Sequence, residues 1–487
     1  MKSLEEMSDY LNPLLVKEVR QLFHSKQYLV LIALFLLGEL SVLYVMMLNY
    51  KDMTVHTKEN LGEMAFAFQC IGMSLAVFIV SVFRTCQTFN NERLDKNLDY
   101  TRLCSITPFT VAIGKLLSSV VNMLVLVALI LPFMVISYFL RGISLQNIMI
   151  WLAILIPQYI VGIQVAVFIG SIGKKGAEAL LFLAVVVVLP FMIGMGVSVS
   201  FMGRTPKIEQ IAVTLAIIAI ALFSQAFAWT VAMISRSKSN IMFHPRLCAL
   251  AICILYPLLY IIIITYAPKS ISFSRRPENI LMLITTLMSM VIGTIQLAFV
   301  FEREQPGARV MAERPKGKFF RAAMFFLSSG RAGGVSLSIF LMMIEAAVIA
   351  VAFKYSTVTR ESLSPLIISL YVLFYCLFAV LLNRFFPKIN TILGFVISVA
   401  IWFVLPSICV FSYGMMTKMA DEALFEILFT TPLYMFASSS FDSSSSTTLD
   451  KRLIVPLVIC VLLLLPLCKY IILEFIHFVK DEEEEAR

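Results

Sequence analysis

From Tyr28 onward the chain alternates long apolar runs with short charged stretches. A helix crossing a bilayer needs roughly 20 mostly apolar residues. By that measure the pattern predicts spans near 28–48, 61–83, 110–139, 146–171, 178–202, 209–234, 247–267, 279–301, 335–354, 363–383, 390–415 and 453–478. The runs lack the two-residue alternation of membrane β-strands and are far too long for them. Backbone groups in lipid must be satisfied internally, so the spans are expected to be helices. The expected fold is an all-α polytopic membrane protein with about twelve transmembrane helices in two six-helix halves, 28–240 and 241–487. The third run is long enough to tilt or to begin as a cytosolic helix. The fifth carries Pro190, Gly194 and Gly196 and fits a broken or re-entrant helix.

The polar stretches between the runs differ in kind. In residues 1–27, Leu4, Met7, Leu11, Leu14, Leu15, Val19, Leu22 and Phe23 recur at helical spacing with charges between them. That is the pattern of an amphipathic helix on the inner membrane face, interrupted near Asn12-Pro13. After the second run comes "RTCQTFNNERLDKNLDYTRLCSITPF", Arg84–Phe109, with too many charges to lie in lipid. A helix is expected there near 88–106. A basic loop follows the eighth run, "EREQPGARVMAERPKGKFFRAAM" within 302–334. The outer loop after the eleventh run ends in a Ser-rich linker at 438–450, and the tail is the acidic "KDEEEEAR".

Composition agrees with this pattern. Hydrophobic residues make up 60% of the 487 and charged residues 14%, against about 45–50% and about 25% in soluble domains. The net charge of +9 is explained by topology rather than by nucleic acid. With the N-terminus inside, Lys and Arg fall about two to one on the cytosolic side, which places both termini in the cytoplasm. The charges from Glu5 to Arg20 and the length of the first run argue for a retained span rather than a signal peptide. The nine cysteines include no C-x-x-C pair. Cys70, Cys253, Cys376, Cys409 and Cys460 sit in apolar runs, and Cys86 and Cys104 in the cytosolic island, so neither a disulfide framework nor a metal site is suggested.

Catalytic signatures are missing from the sequence. No G-x-x-x-x-G-K-[ST] loop occurs, and "GKKGAE" at Gly173–Glu178 has the wrong spacing. The four histidines show no metal spacing, and there is no G-x-S-x-G elbow. The chain is therefore not expected to be an enzyme or to hold a cofactor. Two carboxyls, Glu39 and Glu345, fall inside spans, where an ionisable residue is a functional candidate by default. Each fits either a structural carboxylate bonded to a neighbouring helix or part of an ion pathway. An ion-coupled transporter would carry more such groups.

Glu92-Arg93 follows the second run, and Glu302-Arg303 follows the eighth, 210 residues later. The opening "NPLLVKEVRQLF" has the form N-P-x-x-x-K-E-x-R through Asn12, Pro13, Lys17, Glu18 and Arg20. The island has E-R at Glu92-Arg93 with Leu98, then Thr107-Pro108 and Gly114-Lys115. In these features the first 120 or so residues resemble the permease subunits of ABC transporters of the second exporter class. Lys96-Asn97 stands where that family commonly has Gly-Thr.

The resemblance implies that the island is a coupling helix. Glu92, Arg93, Asp95, Lys96, Leu98, Asp99, Tyr100 and Arg102 would face a separate ATP-binding subunit, and Pro13, Lys17, Glu18 and Arg20 would belong to the interfacial helix. ATP and Mg would be held on that partner and not on this chain. Transport would run outward across the inner membrane. Either this chain supplies both membrane halves, or it pairs with itself or with a second permease. The rival classes are a secondary transporter driven by an ion gradient and a membrane scaffold that transmits force to other proteins.

Overall fold

The computed structural model describes residues 13–48, 61–94, 107–140, 143–172, 208–235, 240–266, 277–302, 306–355, 364–386 and 447–480. Among them every regular element is a helix. The chain divides into two compact units, Met1–Arg236 and Ser237–Arg487.

Unit 1 opens with α1, Pro13–His24. Proline suits this first position because its missing N–H would have no helical partner there. One break at Ser25 separates α1 from α2, Lys26–Leu48. The second span is one continuous rod of three parts: α3, Leu61–Ala76, a π-helical segment, Val77–Phe83, and α4, Arg84–Leu94. The charged island thus begins as a direct extension of the span. Residues 95–106, which include Asp95, Lys96, Leu98, Asp99, Tyr100 and Arg102, lie outside the described residues. Next come α5, Pro108–Phe139, α6, Leu145–Ile172, and α7, Ile208–Ile234. The Thr107-Pro108 pair is the start signal of α5. The Thr107 hydroxyl accepts from the Thr110 amide at 3.2 Å, and Pro108 takes the first turn.

The core of unit 1 is apolar, with Phe66, Met73, Met123, Leu126, Trp151 and Leu155 among its buried side chains. Lipid offers no hydrophobic drive between helices, so packing and interhelical hydrogen bonds must hold them, each bond contributing about 1 kcal/mol. Such bonds recur along the bundle. Ser137 donates to Gln69 at 2.8 Å, Ser74 and Tyr159 share a bond of 2.9 Å, and Gln164 donates to Thr230 at 2.9 Å. Asn122 of α5 donates to the Val80 carbonyl at 3.1 Å and to the Ser81 hydroxyl at 3.2 Å, both within the π-helical segment.

Unit 2 contains α8, Phe243–Tyr266, α9, Pro277–Phe301, and two short helices, α10, Ala308–Ala312, and α11, Lys318–Leu327. The long helices α12, Arg331–Tyr355, α13, Ser364–Phe385, and α14, Thr447–Val479, complete it. Its helix contacts repeat those of unit 1. In unit 1 the second-span rod packs on α2, α5 and α6, α5 also packs on α2 and α6, and α7 packs on α5 and α6. In unit 2, α9 packs on α8, α12 and α13, α12 also packs on α8 and α13, and α14 packs on α12 and α13.

Among the described residues, seven helical stretches are long and apolar enough to cross a membrane: Tyr28–Val45, Met64–Phe89, Pro108–Phe139, Leu145–Ser171, Arg331–Val351, Pro365–Phe385 and Cys460–Val479. Shorter apolar stretches occur at Ala219–Ile234, Phe243–Leu258 and Ile284–Val300. The expected spans at 178–202 and 390–415, and the Ser-rich linker, lie outside the described residues. Helices α2 and α14 expose rows of large apolar side chains, among them Leu34, Leu37, Leu462 and Leu465. Such surfaces are suited to lipid, not water.

Candidate functional site

Three charged residues from three separate stretches meet at one end of unit 1. Lys115, on the first turns of α5, is buried, with its side chain 4% exposed. Its ammonium is ion-paired with Glu18 of α1 and lies 2.6 Å from a Glu92 carboxylate oxygen of α4. The Ser118 hydroxyl, one turn further along α5, donates to the other Glu18 oxygen at 2.5 Å. The Phe89 ring lies 5.5 Å from the ammonium and closes the apolar side.

Each element positions its residue for a local reason. Helix α1 is amphipathic. Leu15, Val16, Glu18, Val19 and Leu22 are partly buried, whereas Lys17 and Arg20 are exposed. It packs along α5 rather than lying apart from the bundle. Glu92 reaches Lys115 because α4 continues the second span instead of turning away as a separate helix. A buried ammonium needs partners to offset its lost hydration. Here it has two carboxylates and an aromatic face.

A polar cleft opens beside the triad, lined by Gln21, Arg84, Thr85, Thr88, Ser119 and Asn122. The Arg84 guanidinium stacks 5.5 Å from the Tyr28 ring at the start of α2. Thr85 and Ser119 bridge α4 and α5 at 2.7 Å. Helices α1, α2, α4 and α5 are thereby tied into one body at this end.

Unit 2 has a buried charged knot of its own. Arg246, 1% exposed at the start of α8, reaches Glu302 just beyond α9, with Nη2 2.5 and 2.6 Å from the two carboxylate oxygens. The same guanidinium donates to the carbonyls of Phe326, Ser328 and Gly330. Glu302 in turn accepts from the Gly330 amide at 2.8 Å, and its carbonyl accepts from Arg331 at 3.1 Å. Gly334 allows this close approach, since a Cβ there would lie 2.6 Å from Phe299 Cβ and 2.8 Å from Arg246 Nη2. In each unit the glutamate of an E-R pair holds a buried cation. The cation comes from the following helix in unit 1 and from the preceding one in unit 2.

The intramembrane carboxyls are both buried. Glu345 of α12 accepts from Ser289 of α9 at 2.6 Å and from Ser369 of α13 at 3.2 Å, pinning three helices. Glu39 of α2 packs over Gly72 of α3, where any Cβ would collide with its carboxylate. Pro13 opens α1. Arg93 lies in the last turn of α4.

Of the residues expected to face a partner, the structure directs Glu92 to Lys115. Of those assigned to the interfacial helix, it directs Glu18 to the same lysine. Lys115 was legible as an ionisable residue inside the third apolar run. Arg246 was legible in the same way, at the edge of the seventh. Among the described residues no cluster of His, Cys, Asp or Glu is suited to a metal ion.

The helices, their apolar surfaces and their buried polar pins make the chain an all-α, multi-pass membrane protein. No family model, curated protein or solved structure matches it.

Proposed function

We propose that the chain is the permease subunit of an ATP-driven transporter of the second exporter class, working with a separate ATP-binding subunit. In this reading twelve spans form two six-helix halves in the inner membrane, both termini are cytoplasmic, and transport is outward. The observation that carries it is the meeting of Glu18, Glu92 and Lys115. They are one charged position from each of the N-P-x-x-x-K-E-x-R, E-R and G-K stretches on which the likeness rests. A coupling element must pass force from a soluble ATPase into the spans. Anchoring the start of the island to α1 and α5 supplies the stiffness this requires. The repeated helix contacts of the two units support two halves built on one plan.

Purification of the full chain from its native membrane tests this. An ATP-binding-cassette protein should co-elute, and the charge reversals Lys96→Glu and Arg102→Glu should release it while permease abundance stays constant. Variants of Glu92 are unsuited to this test because they also break the Lys115 triad. If no ATPase co-elutes and substrate flux follows an ion gradient, the chain is a secondary transporter. An ATPase without any flux, but with assembly of other proteins, would make it a scaffold.

A further inference from the structure

Helix α11, Lys318–Leu327, has its two sides engaged differently. Phe325 is buried against Phe475 and Phe478 of α14, with ring centroids at 5.2 and 5.7 Å. Phe319 and Phe320, at the other end, are 79% and 66% exposed. They are flanked by exposed Lys316 and Lys318, and α11 contains no acidic residue. Adjacent exposed phenylalanines are costly against water.

The level of α11 relative to the bilayer follows from what it and the turn leading into it hold. Arg314 donates to the carbonyls of His477 and Phe478 at 3.4 and 2.9 Å. Arg321 donates to those of Val479 and Lys480, each at 3.3 Å. These are the last three carbonyls of α14 and the one just beyond it; carbonyls at a helix C-terminus lack helical partners and carry partial negative charge. The membrane-length stretch of α14, Cys460–Val479, ends at these carbonyls; its outward side chains include Ile472, Leu473 and Ile476 beyond an exposed Lys469, and Lys480 is exposed just past its end. The hydrocarbon boundary therefore falls within a turn of the carbonyls that the two arginines hold. A second exposed pair, Phe385 and Phe386, flanks the same helix where Arg384 stacks on Tyr470.

We propose that α11 is an interfacial anchor, with Phe319 and Phe320 inserted at the top of the acyl chains and Lys316 and Lys318 at anionic lipid headgroups. Basic residues beside an inserted apolar edge mark helices lying in the plane of such a surface. The anchor would fix the position of the end of α14 in the bilayer through the two arginines. This inference needs only a membrane protein and stands apart from the permease reading.

The test uses full-length Phe319→Trp and Phe320→Trp chains in vesicles of phosphatidylglycerol and phosphatidylethanolamine, with emission of the unchanged chain subtracted. Lipids brominated near the headgroup end of the acyl chain should quench the added emission more than lipids brominated near the methyl end. Aqueous iodide should have little effect. Lys316→Glu with Lys318→Glu in the same background should reduce the shallow quenching and raise quenching by iodide. The hydrogen bonds of Arg321 to backbone carbonyls and the ring contacts of Phe325 with α14 involve none of the changed side chains, and an unaltered size-exclusion profile and thermal midpoint of the full chain verify the fold. Quenching by iodide alone would overturn the proposal and mark the phenylalanines as a face for a protein partner. Stronger quenching from the methyl end would overturn it by placing them within the span region.

Discussion

Replacing Lys115 with methionine leaves two carboxylates facing each other without their cation. Truncating one partner of a buried ion pair typically costs about 3–5 kcal/mol, mostly because the remaining charge is left uncompensated. Glu18 and Glu92 side chains retain 14% and 22% exposure, so water can relieve part of that cost. The lower end, about 3 kcal/mol, is expected. For a folding unit of this size about 1 kcal/mol corresponds to roughly 2–4 °C, so the midpoint should fall by ~6–12 °C. The assay is loss of the monodisperse peak in size-exclusion chromatography after heating in detergent, with Lys17→Met as an exposed control. In a background carrying Glu18→Gln and Glu92→Gln the same replacement should leave the midpoint unchanged or raise it, because no buried carboxylate is then stranded and a buried ammonium without its carboxylates is removed. A midpoint matching the control would refute the triad as a structural element. Equal losses in both backgrounds would show that the three residues are not coupled.

Two further outcomes follow from the buried polar groups of unit 2. Arg246→Lys keeps the charge but loses the planar fork that serves Glu302 and the loop carbonyls together. It should lower the thermal midpoint of the full chain, and a midpoint equal to that of the unchanged protein would remove the knot from the account of this end. Glu345→Gln preserves size and an acceptor for Ser289 or Ser369, so the purified protein should lose no more than about 1 kcal/mol of stability and, on the permease reading, retain transport. Loss of gradient-dependent flux in a well-folded Glu345→Gln chain would favour the secondary-transporter alternative.

The apolar runs by themselves determined the helical class and the approximate extent of each described span. Membrane helices are set by local composition, because backbone groups in lipid pair within their own segment. Thr107-Pro108, named from the sequence only as part of the family resemblance, proves in the structure to cap the start of α5. The amphipathic period of residues 1–27 likewise indicated a helix, although not the face of the bundle on which it docks. Only the tertiary structure decided that Glu18, Glu92 and Lys115 meet, that α4 continues the second span through a π-helical segment, and that Arg246 gathers Glu302 with the loop before α12. Arg314 and Arg321 looked like ordinary basic-loop residues until the end of α14 lay beneath them. Charge type and spacing say which residues need partners. Which residues become those partners depends on how helices far apart in sequence cross, and here Glu18 and Ser118 lie 100 positions apart and Arg314 and Phe478 lie 164 apart.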